Sequence, residues 1–206
     1  SVAVAAFPSP TKSTISSSDS IKADGLPAAS HKPSRSSRAL NHPTIMKLSP
    51  PVLHFNTPEK YWDDATEGDV CVSPTYEVTE ERINAYAVLT GDFTPVHIDE
   101  DYARTTPFGT RVAHGLFGLS IADGLKTQSE YRFLPGMSLG WTWDFLLPIK
   151  INDTLHVRFS VTGLRASKSR PGWGIVILPS ELINQHGDVV HKGEHRLMIP
   201  RRPGAY

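Results

Sequence analysis

The chain of 206 residues holds one cysteine, Cys71, so it can close no internal disulfide and build no cysteine-based zinc site. No apolar run comes near the roughly 20 residues that cross a bilayer, which leaves no membrane-spanning helix to place. Charge of either sign is also not in surplus, since 21 Lys and Arg stand against 21 Asp and Glu. Without a basic excess there is little to hold a phosphate backbone, and nucleic acid is a poor first choice of partner. A lone thiol fits a reducing compartment, or indifference to redox conditions.

What is present divides unevenly. Residues 1–45 contain 11 serines, five basic residues (Lys12, Lys22, Lys32, Arg35, Arg38) and only Asp19 and Asp24 as acids. Such a composition buries too little apolar surface to offset chain entropy, so a disordered leader is expected. It has the Ser-rich, acid-poor character of an organelle transit peptide, which would place the protein in the mitochondrial matrix. Met46 supports the other reading, a start at residue 46 with a non-native extension before it and a cytoplasmic location. Residues 46–206 then carry 16 basic and 19 acidic residues and have the length of one ordinary domain.

Within that domain Val70 to Val78 is β-rich around a Ser73-Pro74 break, which predicts a strand that bends or lies at an edge. Thr79 stands where a helix cap belongs, followed by Glu80 and Glu81 and then by Ile83, Tyr86, Ala87 and Leu89 at helical spacing, predicting a helix over 80–89 that ends at Gly91. Residues 92–98 read as a loop in which Pro95 forces Thr94 extended. Asp99 caps a second short helix over 100–105, and Pro107 with Gly109 breaks the chain again. From His114 to about Lys126 apolar residues surround the helix on nearly every side, which marks a buried helix. Gly115, Gly118 and Gly124 within it suggest close packing on a sheet. Two period-two strands follow, 137–145 and 155–161, joined by an Asn152-Asp153 turn. Strands over 173–183 and 189–199 flank the hairpin signal at residues 185–188. The sum is an α+β domain with an antiparallel sheet wrapped on a long central helix.

Asp92 and His97 lie five residues apart in a loop between two short helices, where a carboxylate and an imidazole can share a water and exchange a proton near neutral pH. Equally, Asp92 could be a turn former after Gly91 and His97 a hydrogen-bonded, half-buried side chain. His114-Gly115 opens the buried helix, whose unpaired N–H groups favour negative charge on a ligand, and Gly115 would admit a close approach to that backbone. Simple helix packing explains the same glycine.

The motifs GDFTPVHID at 91–99, TPFGTRVAHG at 106–115 and LPGMSLGWTWDFLLPI at 134–149 resemble the MaoC-like hydratase/dehydratase family of (R)-specific enoyl-thioester hydratases. The likeness runs from about Tyr76 to residue 200. It implies a single hotdog domain and a homodimer with acyl tunnels near the subunit interface. It also implies that Asp92 and His97 hold the water that adds to C3 of a trans-2-enoyl thioester, with Gly115 N–H on the thioester oxygen. His114, Thr94, Pro95, Phe108, Gly109 and Asp123 fall among the substrate-binding positions. No metal or redox cofactor is implied; coenzyme A arrives as part of the substrate. Two positions depart from the family: Thr94 stands where many members have Asn, and Asp123 where many have Ser; a carboxylate there either lines the acyl pocket, favouring a small or polar acyl group, or simply faces solvent near the helix end. A hotdog acyl-CoA thioesterase and a non-catalytic acyl-binding subunit are the rival readings.

Other features weigh less. Arg165, Lys168 and Arg170 before Pro171-Gly172 could meet coenzyme A phosphates or be a solvated hairpin tip. Trp141, Trp143 and Phe145 share a strand face and read as core. His191 and His195 share a face of one strand without being adjacent, which argues against a metal site.

Overall fold

The computed structural model describes residues 57–206; the expected leader lies outside the described residues. None of the described helices is long and apolar enough to cross a membrane. In chain order the domain contains β1 (Glu59–Lys60), β2 (Val70–Val72), β3 (Tyr76–Glu77), α1 (Glu80–Thr90), α2 (Pro95–Ile98), α3 (Glu100–Arg104), α4 (Gly115–Lys126), β4 (Arg132–Phe133), β5 (Met137–Phe145), β6 (Thr154–Ser160), β7 (Gly163–Ala166), β8 (Trp173–Ile183) and β9 (Val189–Pro200).

One antiparallel sheet dominates, ordered β2-β6-β8-β9-β5, with β3 also on β6 and β7 also on β8. The bend expected at Ser73-Pro74 is the gap between β2 and β3, both of which pair with β6. The β8–β9 hairpin turns where expected: Asn184 Oδ1 accepts from the N–H groups of His186 and Asp188, and Gly187 takes the left-handed φ of 85°. β5 and β6, although joined through Asn152-Asp153, are not neighbours, because β8 and β9 lie between them. Among the described residues β5 therefore forms one edge of the sheet, paired only with β9. The short β1 and β4, a parallel pair, carried no readable pattern at two residues each.

α4 lies against the inner face. Phe117, Ala122 and Leu125 are buried among Val157, Leu178, Val190 and Ile149. At Gly118 the backbone approaches so closely that an added Cβ would stand 2.4 Å from His191 Nδ1 and 2.8 Å from Ile149 Cδ1. The expectation of a helix buried on nearly every side needs correcting, because Leu116 is 60 % exposed and Ser120, Asp123 and Gly124 also face outward. Apolarity in the sequence does not tell which neighbour covers a side chain. For the same reason Leu89, counted on the apolar face of α1, is exposed, and Phe145 at the end of β5 is 55 % exposed while Trp141 and Trp143 are half-buried.

The contacts at α4 predict opposite outcomes for two glycines of one helix. Gly118→Ala is expected to cost about 1–3 kcal/mol through overpacking on His191. Gly124→Ala, with nothing within 4 Å of its added Cβ, is expected to stabilise by up to about 1 kcal/mol. Urea unfolding of both variants checks the pair.

Candidate active site

Three local devices bring the site together. α1 is capped at its start by Thr79, whose hydroxyl accepts from Arg82 N–H, and stops at Gly91, which takes φ 75° and donates to Ala87 O. The chain turns at once: Asp92 Oδ1 accepts from Thr94 N–H at 3.1 Å and from Thr94 Oγ1–H at 2.6 Å. Thr94 is extended (ψ 127°), as a residue before proline must be, and Pro95 starts a helix at a position where its missing N–H costs nothing. The segment expected as loop thus contains the single-turn helix α2, which the proline initiates. Asp99 caps α3 as expected, accepting from Tyr102 N–H at 3.0 Å.

α2 delivers His97. Its Nδ1–H donates to Val112 O at 2.8 Å, which fixes the tautomer and leaves the Nε2 lone pair unprotonated and free to accept. The strand-like stretch before α4 is held by Val112 N–H on Val96 O and Ala113 N–H on Ile149 O, and it sets His114 beneath the site. His114 Nε2–H donates to the backbone oxygen of Asp92 at 2.9 Å and lies 3.9 Å from Asp92 Oδ2. The rings of His97 and His114 stack with centroids 3.9 Å apart, and Tyr86 packs on the far side of His114 at 5.2 Å.

Asp92, His97 and His114 each place a ligand atom within 4.8 Å of the other two, the one such group of His, Cys, Asp and Glu among the described residues with metal-ligand spacing. That spacing is also one that a single water can bridge with two hydrogen bonds of about 2.8 Å. The hydrogen bonds from Thr94 hold the Asp92 carboxyl below its ordinary range, and burial, the larger effect, pushes His97 down. At neutral pH the site therefore presents a carboxylate and a neutral imidazole. Directly after its N-cap His114, α4 begins at Gly115; Phe117 N–H in the first turn donates to His114 O at 3.0 Å, and the N–H groups of Gly115 and Leu116 precede the first intrahelical bond. The Phe145 ring covers Gly115, with Cε1 3.0 Å from where a Cβ would stand.

The remaining sequence candidates are dispersed. Phe108 and Gly109 form a turn after α3, with Phe108 exposed, Gly109 at φ 69°, and no hydrogen bond or ring contact to Asp92, His97 or His114 among the described residues. Arg165, on β7, and Lys168 and Arg170 after it occupy the sheet end that holds Met137, about 26 Å along β5 from Phe145. Asp123 lies at the other end of α4, paired with Lys126 Nζ at 3.2 Å. Sequence reasoning missed the Lys126 neighbourhood: Lys126 Nζ donates to His195 Nδ1 at 2.6 Å, and His195 Nε2 is 2.8 Å from Ser138 Oγ. A lysine at helical spacing among Phe117, Ala122 and Leu125, on the buried side, was the available signal.

Known proteins resemble this chain in sequence and in fold. The family model for the MaoC like domain matches residues 63–173. An (R)-specific enoyl-CoA hydratase of Rhodospirillum rubrum is 33 % identical over 145 residues, 69 % of this chain and 93 % of the relative. The crystal structure of a MaoC-like dehydratase from the same organism superposes with a TM-score of 0.63 at 32 % identity, over 70 % of this chain and 99 % of that one. A conserved Mycobacterium tuberculosis protein with a double hotdog fold superposes at 0.59 with 23 % identity, over 72 % of this chain and 46 % of that one. The α+β domain is thus a hotdog, with the sheet around α4.

The buried imidazoles make stability depend on pH. Burial pushes His191 and His195 down to about 4 from 6.5, and Lys126 adds to the effect at His195. Between about 6.5 and about 4 the unfolded chain takes up protons that the folded one refuses, so stability is expected to fall as pH falls through that window, by at most about 1.4 kcal/mol per pH unit for each histidine. Urea midpoints measured from pH 7 to pH 4 check this, and His195→Gln is expected to flatten the slope.

Proposed function

Because the chain belongs to the MaoC-like domain family and presents a carboxylate, a tautomer-fixed imidazole and the start of a buried helix at one place, we propose that it is a hydro-lyase acting on enoyl thioesters. It adds water to, or removes it from, the C2–C3 bond of an enoyl-CoA with (R)-type syn stereochemistry. The observation that carries this reading is the convergence of Asp92, His97 and His114 within 4.8 Å, immediately before the first turn of α4.

In this reading Asp92 Oδ2 and His97 Nε2 accept the two hydrogens of one water. The water oxygen bonds to C3 as one of its protons passes to the pair, and the pair returns a proton to C2 on the same face. The resting charge state is thereby restored, and because water adds across the double bond with no net oxidation or reduction, the reaction needs no redox cofactor. Charge that accumulates on the thioester oxygen is met by Gly115 N–H and the helix dipole. His114 touches neither reacting atom; it fixes the Asp92 backbone and supports the His97 ring. Asp92 and His97 titrate as a coupled unit, so the acid and base roles belong to the pair.

The same reading includes a homodimer. Exposed Leu116 follows Gly115, on which the exposed Phe145 ring lies at the end of the edge strand β5, and Leu146 and Leu147 after it are exposed too. Such an apolar flank and an open edge are both satisfied by a second copy of the chain. Sedimentation equilibrium is expected to give twice the chain mass, and Leu116→Glu to shift it toward the monomer.

Asp92→Asn and His97→Ala are each expected to lower hydration of crotonyl-CoA by about 10²- to 10⁴-fold while leaving the melting temperature nearly unchanged. The assay follows loss of enoyl-thioester absorbance with free thiol monitored in parallel. Released thiol would instead identify a thioesterase, and an unchanged substrate a silent acyl-binding subunit.

A further inference from the structure

The sheet turns one face to α4 and the core. On the other face Val70 and Val72 of β2 are 56 % and 45 % exposed, and Arg158, Asp144 and Lys192 are exposed as well. A trough of about 490 Å³ crosses this outer face, walled by Val70, Asp144, Arg158, Pro179, Glu181 and Lys192. Exposed apolar side chains beside ordered charges mark a surface that a protein partner covers.

The register of the strands lines up four of those charges. Arg158 on β6 is the cross-strand partner of Glu181 on β8, Glu181 of Lys192 on β9, and Lys192 of Asp144 on β5. Residues directly opposed on antiparallel strands point to the same side, so the row reads plus, minus, plus, minus. Within the chain only the first two are joined: Arg158 Nε and Nη2 donate to Glu181 Oε2 at 3.0 and 2.5 Å. Lys192 and Asp144 make no ion pair among the described residues.

This order of signs is complementary to itself under one rotation. A two-fold axis running along the strands, midway between β8 and β9, sets Glu181 of each copy against Lys192 of the other, and Arg158 against Asp144. All four charges then meet their opposites, and the joined pair of each copy is flanked by the two charges left single in the other. Moving the axis onto β8 sets Arg158 against Lys192, and moving it onto β9 sets Glu181 against Asp144. An axis along the row sets every charge on itself, so each of these alternatives opposes like charges. In the neighbouring rows the favoured axis sets Pro179 against Glu194 and Ile177 against Arg196, where no like charges meet and aliphatic stems rest on apolar side chains. A ligand of one charge gains nothing from a row that offers both signs equally.

We propose that the outer face of the sheet is a second self-association surface, on which two copies of the chain stack face to face about this axis. Aligned sheets keep their strand directions within about 30° of each other, which holds the central Glu181–Lys192 pairs in register. Five strands at about 4.8 Å spacing over about seven residues give about 600 Å² per copy in projection, the small end of stable interfaces. The contact is therefore weak and concentration-dependent, and its charges select the alignment more than they supply the affinity. It leaves α4 and the proposed catalytic pair untouched, since these lie on the opposite side of the sheet.

Sedimentation equilibrium of the full chain from about 5 to about 500 µM, in about 50 mM salt, tests this. The mean mass is expected to rise above that of two chains at the upper end, and to fall back in about 500 mM salt, where exposed charges are screened. Lys192→Glu sets acid on acid and is expected to weaken the association at least about tenfold; adding Glu181→Lys, which exchanges the two signs, is expected to restore it. A mass that never exceeds two chains and ignores Lys192→Glu overturns the proposal, the result to be found if residues 1–56 of the same chain cover this face. So does a rise that Lys192→Glu leaves unchanged, or one that the exchanged variant fails to recover. Should the exchanged variant not fold, Asp144→Lys, which opposes Arg158, decides, and an unchanged association overturns the proposal. Leu116→Glu separates this contact from the dimer proposed above: it is expected to leave monomers that still pair at the upper concentrations, and to lose that pairing when Lys192→Glu is added. If Lys192→Glu alone gives monomers while Leu116→Glu stays dimeric, the outer face stands as the dimer contact and the α4 flank falls.

Discussion

The constraint on which the rest depends is the contact of α4 with the sheet at Gly118. Without a side chain there, the helix backbone settles directly on His191 of β9, and Ile149 fills the space beside it. That seating fixes both ends of the helix. At one end His114 is pressed beneath the Asp92 turn and the His97 ring; at the other Lys126 is carried into the sheet's inner layer against Trp141 and His195. A helix displaced by the width of one methyl group would move both clusters together.

The loop that carries Asp92 and His97 depends on a second set of bonds, most of them to backbone atoms. His97 is oriented by Val112 O, Asp92 by the Thr94 N–H and hydroxyl, and the loop as a whole by His114 on Asp92 O. Thr94 supplies two donors to the Asp92 carboxylate, its backbone N–H and its hydroxyl.

Much of this was legible in the residues themselves. Thr79, Gly91, Asp99 and the hairpin signal at 185–188 act through short-range chemistry, and each does in the fold what its type predicts. The pairing of Asp92 with His97 could be suspected from their spacing, but their meeting with His114 rests on Val112–Val96 contacts that only tertiary structure supplies. Leu116 and Leu89 were misjudged because periodicity reports which side chains are apolar and says nothing of what covers them. The Lys126–His195–Ser138 cluster was hidden for the same reason in reverse: a cation, an imidazole and a hydroxyl from three distant segments share no local pattern, and only the register of β5 on β9 brings them together.

The stacking of His114 on His97 limits where the imidazole of His97 can point. With the ring centres 3.9 Å apart, His97 Nδ1–H tied to Val112 O and His114 Nε2–H tied to Asp92 O, neither ring can turn without breaking a hydrogen bond to the backbone, so the Nε2 lone pair of His97 keeps one direction.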